Sequence, residues 1–417
     1  MNNIIYSDAP ESYGIFDKNN FKKILFVCTE YFNHTIIILS MLPFINDKYP
    51  EAEITVICCE DTTELFIKCP FINKTISINR EKANYDKIYL DKIKETLNTI
   101  TYDLAINSSY YRDVLSDVII MFSQAEIKIA FFHFKELTPL FFKIDRPSVR
   151  KLFNFDYTYL FYDEEEKPDL ERYRNFLSIF GIKLANLLPD IWTKQEDQEF
   201  AQRFFLSENI KPKQAIAVFI GNKENINIYI NCLDGLIQVA KMQSLKIIIF
   251  NNQTVCDFFK ESYEGIININ STIITEVEIL KLCSLSVSLN INPEVDILSV
   301  SEVIKVPHIF VASPLDLKNL NSGGHFTSIA CLPLDCENCK KPCQYKYCIS
   351  DIYSEVFAEI IKEVLNQTPV IPTLFTQGNL LCQVKYAKPK WQPFSFKTEF
   401  YKQTSFGVFR LYPLNKF

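Results

Sequence analysis

The chain has 417 residues, 48% of them hydrophobic, which is too many for one ordinary core and too apolar for a disordered protein. A formal charge of -6 with no dense basic cluster excludes a nucleic-acid binder. The longest apolar run, Ile36 to Ile45, is about half a membrane span, and the opening MNNIIYSDAPESYG has no basic n-region leading into an apolar h-region, so a cytoplasmic chain without a transmembrane segment is expected.

Lys23 to Cys28 is a short apolar run rich in strand formers, Thr29 to His34 is a polar break, and Thr35 to Lys48 has the length and apolar density of a buried helix. Glu53 to Cys59 reads as a second buried strand. Together these predict a right-handed βαβ unit with the loop Thr29 to His34 at the carboxyl edge of the sheet, where open α/β sheets bind ligands. Further strands are expected at Lys74 to Asn79, Asp103 to Asn107, Glu126 to Phe132 and Tyr157 to Tyr162. The helices between and after them are Tyr85 to Thr99, Asp113 to Gln124, and Asp169 to Phe180 stopped by Gly181. This alternation predicts a mostly parallel sheet covered on both faces.

Between Ile182 and Lys213 the pattern is polar and helical, which suits a hinge. A second series follows: strands at 214–220, Lys246 to Phe250, Gly265 to Ile269, Ser284 to Leu289 and His308 to Ala312. They alternate with helices from the loop Gly221 to Ile226 through Met242, Val255 to Tyr263, Thr275 to Cys283, Asp296 to Lys305 and Asp351 to Leu365. The fold class is therefore α/β, with two doubly wound, Rossmann-like domains at 1–185 and 186–366 facing a ligand-binding cleft. Residues 367–417 form an aromatic C-terminal extension that is expected to pack back on the domains or to make an oligomer contact.

Thirteen cysteines in a cytoplasmic chain are expected to be mostly reduced. Eight are scattered through or near apolar segments and read as core residues; five crowd into Cys331 to Cys348. Within that segment Cys336-x2-Cys339-x3-Cys343-x4-Cys348 offers four thiolates, a set that suits a structural tetrahedral zinc. Iron, or an iron–sulfur cluster, is the alternative occupant, and a reduced metal-free cluster is the plain alternative. No organic cofactor is implied.

The order ILFVCTEYFNHT, YPEAEITVICCED, YDLAINSSYYRDVLSDVIIMFSQAEIKIAF, DLERYRNFLSIFGI, IAVFIG, KVPHIFVASPLD and CENCKKPCQYKYCISDIYSEVFAEIIKEVL resembles the heptosyltransferase family, glycosyltransferase family 9, over roughly residues 22–366. The resemblance implies a GT-B fold, an acceptor-binding N-terminal domain and a C-terminal domain that binds a nucleotide-activated sugar, usually ADP-heptose. Asn33-His34 stands where the family carries Gly-Asp. The family's Asp is the base for the acceptor hydroxyl, and His34 is a candidate for that role because imidazole titrates near neutral pH; the plain alternative is a loop residue.

On the donor side the candidates are Asn222 and Lys223, after the first strand of the second domain, with Lys223 standing in for a missing cation near the phosphates. A solvated loop lysine is the plain alternative. Asn227 and Tyr229 fall where the family has Lys and Trp, and the loop Asn251 to Gln253 lacks the family's glycines. Ser313 and Asp316, in SPLD, match the family's Gly-Pro-Thr-Asp turn. The family's Asp-x-Gly-x-x-His segment has become LNINPEVDILS, where Glu294 and Asp296 in a first helical turn repel a phosphate rather than cradle it.

Two functions follow from the resemblance and its departures. One is a glycosyltransferase moving a sugar, heptose or hexose, by direct displacement from a nucleotide-sugar donor to a glycan or protein acceptor. An acceptor of the cell envelope, as in lipopolysaccharide or protein glycosylation, would put it at the inner face of a membrane as a peripheral protein. The other is a catalytically inactive GT-B scaffold that binds a glycan or a partner protein. A binding module governed by metal or redox state through the cysteines is a third.

Overall fold

Runs such as Lys23–Cys28 and Glu53–Cys59 are buried along almost their whole length, which happens when a sheet is covered on both faces. The computed structural model describes residues 3–6, 13–29, 32–133, 157–164, 167, 169–188, 190–220, 229–260, 263–289, 303–311, 327–331, 352–367, 373–376, 400–404 and 407–413. The chain divides into two units, Met1–Trp192 and Thr193–Phe417, so the division falls inside the polar stretch expected to hold a hinge.

In the first unit the strands are β1 (Asn3–Tyr6), β2 (Lys23–Cys28), β3 (Glu53–Cys59), β4 (Lys74–Ile78), β5 (Leu104–Asn107), β6 (Ile127–Phe131) and β7 (Tyr159–Tyr162). They form one sheet in the order β1-β7-β6-β5-β2-β3-β4 with every neighbouring pair parallel. Its helices include α1 (Phe32–Lys48), α2 (Thr63–Lys68), α3 (Arg80–Tyr85), α4 (Lys87–Asn98) and α5 (Val114–Phe122). On one face Leu25, Val27, Ala105 and Ala130 pack with Leu90, Ile93, Leu97, Leu115 and Ile119 from α4 and α5.

Helix α1 begins at Phe32, earlier than the expected Thr35, so the polar break after β2 is shorter than the sequence suggested. Polar residues suit a first helical turn, whose amides lack intrahelical partners. The helix expected over Tyr85 to Thr99 is α4, starting two residues later at Lys87, and the short helix α3 before it was not expected. Asp86 ends α3 and caps α4, its Oδ1 accepting from the amides of Ile88 at 2.9 Å and Tyr89 at 3.1 Å. The helix Asp169–Leu177 runs into a short 3-10 turn that stops at Gly181, whose φ of 76 is the left-handed cap expected there.

The second unit carries β8 (Ala215–Ile220), β9 (Lys246–Phe250), β10 (Ile266–Ile269), β11 (Leu285–Leu289), β12 (His308–Val311), β13 (Thr327–Cys331), β14 (Thr373–Thr376), β15 (Phe400–Thr404) and β16 (Gly407–Pro413). The sheet order is β10-β9-β8-β11-β12-β13-β14-β16-β15, parallel as far as β14 and antiparallel for the last two strands. Three strands of the C-terminal segment thus extend this sheet. Ile216, Val218, Val287 and Ile309 pack with Leu236, Phe357 and Ile361 from the helices Ile230–Gln243 and Ser354–Asn366. Both units are doubly wound α/β. Among the described residues no helix is long and apolar enough to cross a membrane.

Candidate functional site

In the first sheet the chain runs from β2 outward to β3 and β4, then returns to the other side of β2 and runs outward again through β5, β6 and β7. The loops leaving β2 and β5 therefore turn away from each other at the carboxyl edge, and such a switch point is where doubly wound sheets bind ligands. Thr29 follows β2; Ser108 and Ser109 follow β5. Ser108 ties the two exits together, its amide and hydroxyl both donating to the Val27 carbonyl at 3.1 and 2.7 Å. From the helix Asp169–Leu177, Tyr173 donates to the Ser108 carbonyl at 2.6 Å.

Thr29 and Ser109 are each 1% exposed, and neither side-chain oxygen has a hydrogen-bond partner. An unsatisfied buried hydroxyl costs about 1–3 kcal/mol, so two of them at the switch point are an unusual concentration of unmet hydrogen bonding.

Arg80, the first residue of α3, reaches across this edge. It donates to the Thr29 carbonyl and to the Asp113 carboxylate. Asp113 caps α5 by accepting from the Ser116 amide at 2.8 Å, with the Ser116 hydroxyl returning to the Asp113 amide at 3.2 Å. Burial disfavours the charge on Arg80, but the Asp113 carboxylate outweighs it, and the guanidinium stays charged. Cys59, at the end of β3, lies 3.4 Å from the Thr29 carbonyl. Burial pushes its thiol up to about 11 against the pull of Arg80, so it stays protonated and is no nucleophile at neutral pH.

Beneath this edge Arg112 and Asp117 pair with both side chains fully buried. Asp117 also accepts from Tyr157 at 2.6 Å and from Asn107 at 3.0 Å. The network anchors the turn that carries Ser108 to Asp113. Further along, Asp163 pairs with Lys167 at 2.8 Å, and its carbonyl lies 3.0 Å from His133 Nε2.

Of the residues singled out from the sequence, His34 is the third residue of α1, close in the chain to the β2 exit. Asn222, Lys223, Ser313, Asp316 and the cysteines Cys336, Cys339, Cys343 and Cys348 lie outside the described residues. Among the described residues no group of three or more His, Cys, Asp or Glu side chains could hold a metal ion. Seven of the cysteines expected in the core, Cys28, Cys58, Cys59, Cys69, Cys232, Cys256 and Cys283, are buried free thiols. Arg80, Asp113 and Ser109 were not flagged as site residues from the sequence, whereas Thr29 opens the loop Thr29 to His34 that was expected at the ligand-binding edge. The available signal was topological: Thr29, Ser109 and Asp113 follow the strands β2 and β5 that meet at the switch point, whereas Arg80 follows the edge strand β4 and reaches back to it.

In the second unit β8 goes out to β9 and β10, and β11 returns on its other side, so a second switch point lies between β8 and β11. Along that carboxyl edge Asn251, after β9, donates to Glu276 at 2.7 Å, and its side-chain oxygen accepts from the Ser271 amide at 3.0 Å. Glu276 is 6% exposed and also accepts from the Ser271 hydroxyl at 3.2 Å. A carboxylate thus occupies part of the edge.

No family model matches the sequence, and no curated protein matches it significantly. Solved structures do. Heptosyltransferase II of Escherichia coli, described as an ADP-heptose lipopolysaccharide enzyme, superposes with a TM-score of 0.57 at 14% identity, covering 84% of this chain and 100% of its own. The fold is that of the heptosyltransferases. A family 9 glycosyl transferase from Veillonella parvula gives a TM-score of 0.59 at 16% identity over 85% and 99% of the two chains. Escherichia coli heptosyltransferase WaaC with ADP gives 0.59 at 14% identity over 82% and 99%. The heptosyltransferase-like, GT-B-like architecture accounts for both sheets and both switch points.

Proposed function

We propose that the protein is a glycosyltransferase. It transfers a sugar, heptose or hexose, from a nucleotide-sugar donor to a glycan or protein acceptor. The observation that carries this reading is the pair of buried, unpartnered hydroxyls of Thr29 and Ser109 at the switch point of a sheet whose fold is shared with heptosyltransferases. A hydroxylated acceptor would supply their missing hydrogen bonds, with Arg80 and Asp113 beside them as a polar rim.

The chemistry is a single displacement. The acceptor oxygen forms a bond to the anomeric carbon while the bond from that carbon to the diphosphate oxygen breaks, and the nucleoside diphosphate leaves with the electron pair. His34 takes the acceptor proton; its place at the start of α1, just past the β2 exit, supports that role. Asn222, Lys223, Ser313 and Asp316 hold the donor, with Lys223 as the cation for its phosphates. In sequence they come after β8 and β12, two parallel strands of the second sheet, whose carboxyl ends are where such sheets bind ligands. Cys336, Cys339, Cys343 and Cys348 hold a structural metal, zinc before iron, because four thiolates make a closed tetrahedral set. Metal analysis of protein purified under reducing conditions tests that assignment; protein without zinc or iron would end it.

The main test is the melting temperature with ADP-, UDP-, GDP- and CDP-sugars. A ligand at about a hundred times its Kd adds roughly 2.7 kcal/mol of stability. A shift with one nucleotide supports the transferase and names the donor to use in transfer assays. No shift with any of them favours the second reading, an inactive scaffold binding a glycan or a partner protein. The buried Glu276 carboxylate at the carboxyl edge of the second sheet is the observation on its side, since a carboxylate there repels a diphosphate.

A further inference from the structure

The chain passes between its two units once, at the Trp192–Thr193 peptide. Each side of that peptide is fastened within its own unit. Before it, the Asp190 amide donates to the Ser40 hydroxyl at 3.1 Å, Ile191 is buried, and the Trp192 ring lies edge-on to Phe71 with centroids 5.6 Å apart. After it, the Thr193 hydroxyl donates to the Glu278 carboxylate, which also accepts from Lys281 at 2.5 Å. The next residue, Lys194, caps the helix Gln195–Ser207, its amide donating to Asp197 at 2.8 Å.

Glu278 belongs to the helix Ile273–Leu282, and so does Glu276, whose carboxylate accepts from Asn251 and Ser271 at the carboxyl edge of the second sheet. Two residues along an α-helix amount to about 200° around its axis, so the two carboxylates leave opposite sides. Both residues are 6% exposed, and a carboxylate that far from water is held firmly to its hydrogen-bond donors. The helix between them is stiff. A capping box between Thr272 and Thr275 closes its first turn, and at its other end the carbonyls of Lys281 and Cys283 accept from the Lys213 ammonium at 2.9 and 2.8 Å. Ile274, Val277, Ile279 and Leu280 are completely buried. A helix clamped at both ends and close-packed along its length moves as one body.

We infer that the helix Ile273–Leu282 is a relay between the carboxyl edge of the second sheet and the covalent crossing at Thr193. An occupant of the edge that draws Asn251 or Ser271 away from Glu276 shifts the helix, and Glu278 passes the shift to Thr193. Movement at Thr193 reaches the edge by the same route, because such coupling acts equally in both directions. The relay goes beyond the glycosyltransferase reading and does not rest on it.

Residue-resolved amide hydrogen exchange by NMR on the full chain tests the relay from both ends. Asn251→Gly removes the side chain that holds Glu276, while glycine keeps the left-handed backbone found there, φ 53. It should speed exchange of the Lys194 and Asp197 amides ~2- to 30-fold. Thr193→Val removes the hydroxyl given to Glu278 and should speed exchange of the Ser271 amide by a similar factor, whereas Thr193→Ser should exchange like wild type. The amides of β11 and of Asp190 should be unchanged in every variant, which separates the relay from a general loss of stability. Acceleration confined to the substituted end, acceleration in one direction only, or equal acceleration in β11 would overturn the relay. Its failure leaves the transferase reading intact, and a nucleotide-sugar panel that shifts nothing leaves the relay intact.

Discussion

Arg112 Nη1 lies 3.0 Å from Asp117 Oδ2, and both side chains are completely shielded from solvent. The Arg112 guanidinium also sits 4.8 Å over the Tyr157 ring, and Tyr157 donates to the same carboxylate. Burial pushes the Asp117 pKa up, while Arg112 and Tyr157 oppose it. Desolvation of two charges nearly cancels their attraction, so the pair itself adds little stability, but breaking it strands a buried cation. Asp117→Ala should cost ~3–5 kcal/mol in urea unfolding, and Arg112→Met combined with Asp117→Leu should cost much less. A loss under about 1 kcal/mol in the single variant would mean that the guanidinium reaches water and the network is not closed.

The two orphaned hydroxyls at the switch point give a prediction of opposite sign for stability and binding. Thr29→Val keeps the side-chain shape and removes a buried oxygen that has no partner. The same holds for Ser109→Ala, and each variant should gain ~1 kcal/mol of stability. Each should also weaken acceptor binding, because the ligand loses the group it would satisfy. Differential scanning calorimetry decides the first half: a lower melting temperature in either variant would show that the hydroxyl is hydrogen-bonded in the native protein.

Much of the first unit was legible because parallel strands covered on both faces are written as unbroken apolar runs, and Lys23–Cys28 and Glu53–Cys59 have the ends expected from sequence. Strand β1 was not. Its four residues carry no period, and its identity comes from pairing Tyr6 with Tyr162, far away in the chain. The C-terminal strands escaped for a similar reason, since aromatic and proline-rich sequence there says little about the antiparallel pairing of Thr373 with Pro413. The site was harder still. Arg80 and Asp113 are hydrogen-bonded across a long separation in sequence, and Asp113 reads locally as nothing more than a good start to a helix. Nothing in YYRDV announces that the arginine turns inward to a carboxylate within the following helix.

His308 makes the second unit sensitive to acid. The side chain is fully buried in β12, its Nδ1 lies 2.6 Å from the Ser286 hydroxyl, and burial holds its pKa down at about 3 against an ordinary 6.5. The folded chain keeps the imidazole neutral where the unfolded chain would protonate it, so the unfolded state binds more protons below pH 6.5. The stability tied to this group is complete above 6.5 and is lost as the pH falls toward 3, by about 1.4 kcal/mol for each pH unit well inside that window. His308→Gln should flatten that part of the stability profile. Parallel profiles for wild type and variant between neutral pH and pH 4 would mean that the ring is protonated, or hydrated, in the native state.

At Gly235 two helices of the second unit pack closely, and two effects compete there. In the middle of the helix Ile230–Gln243 an alanine should be better than glycine by roughly 0.5–1 kcal/mol from backbone entropy. A Cβ at this position, however, would sit 2.3 Å from the Ser354 carbonyl oxygen and 3.1 Å from the Ala358 amide nitrogen. Both atoms are backbone of the helix Ser354–Asn366, so no side chain can swing away and the whole helix must move. Overpacking of that kind costs ~1–3 kcal/mol, which exceeds the propensity gain. Gly235→Ala should therefore lower the stability of the second unit, and the loosened packing should speed amide hydrogen exchange in the helix Ser354–Asn366. A variant that melts higher than wild type would show that the helices stand further apart than this and that propensity alone decides the position.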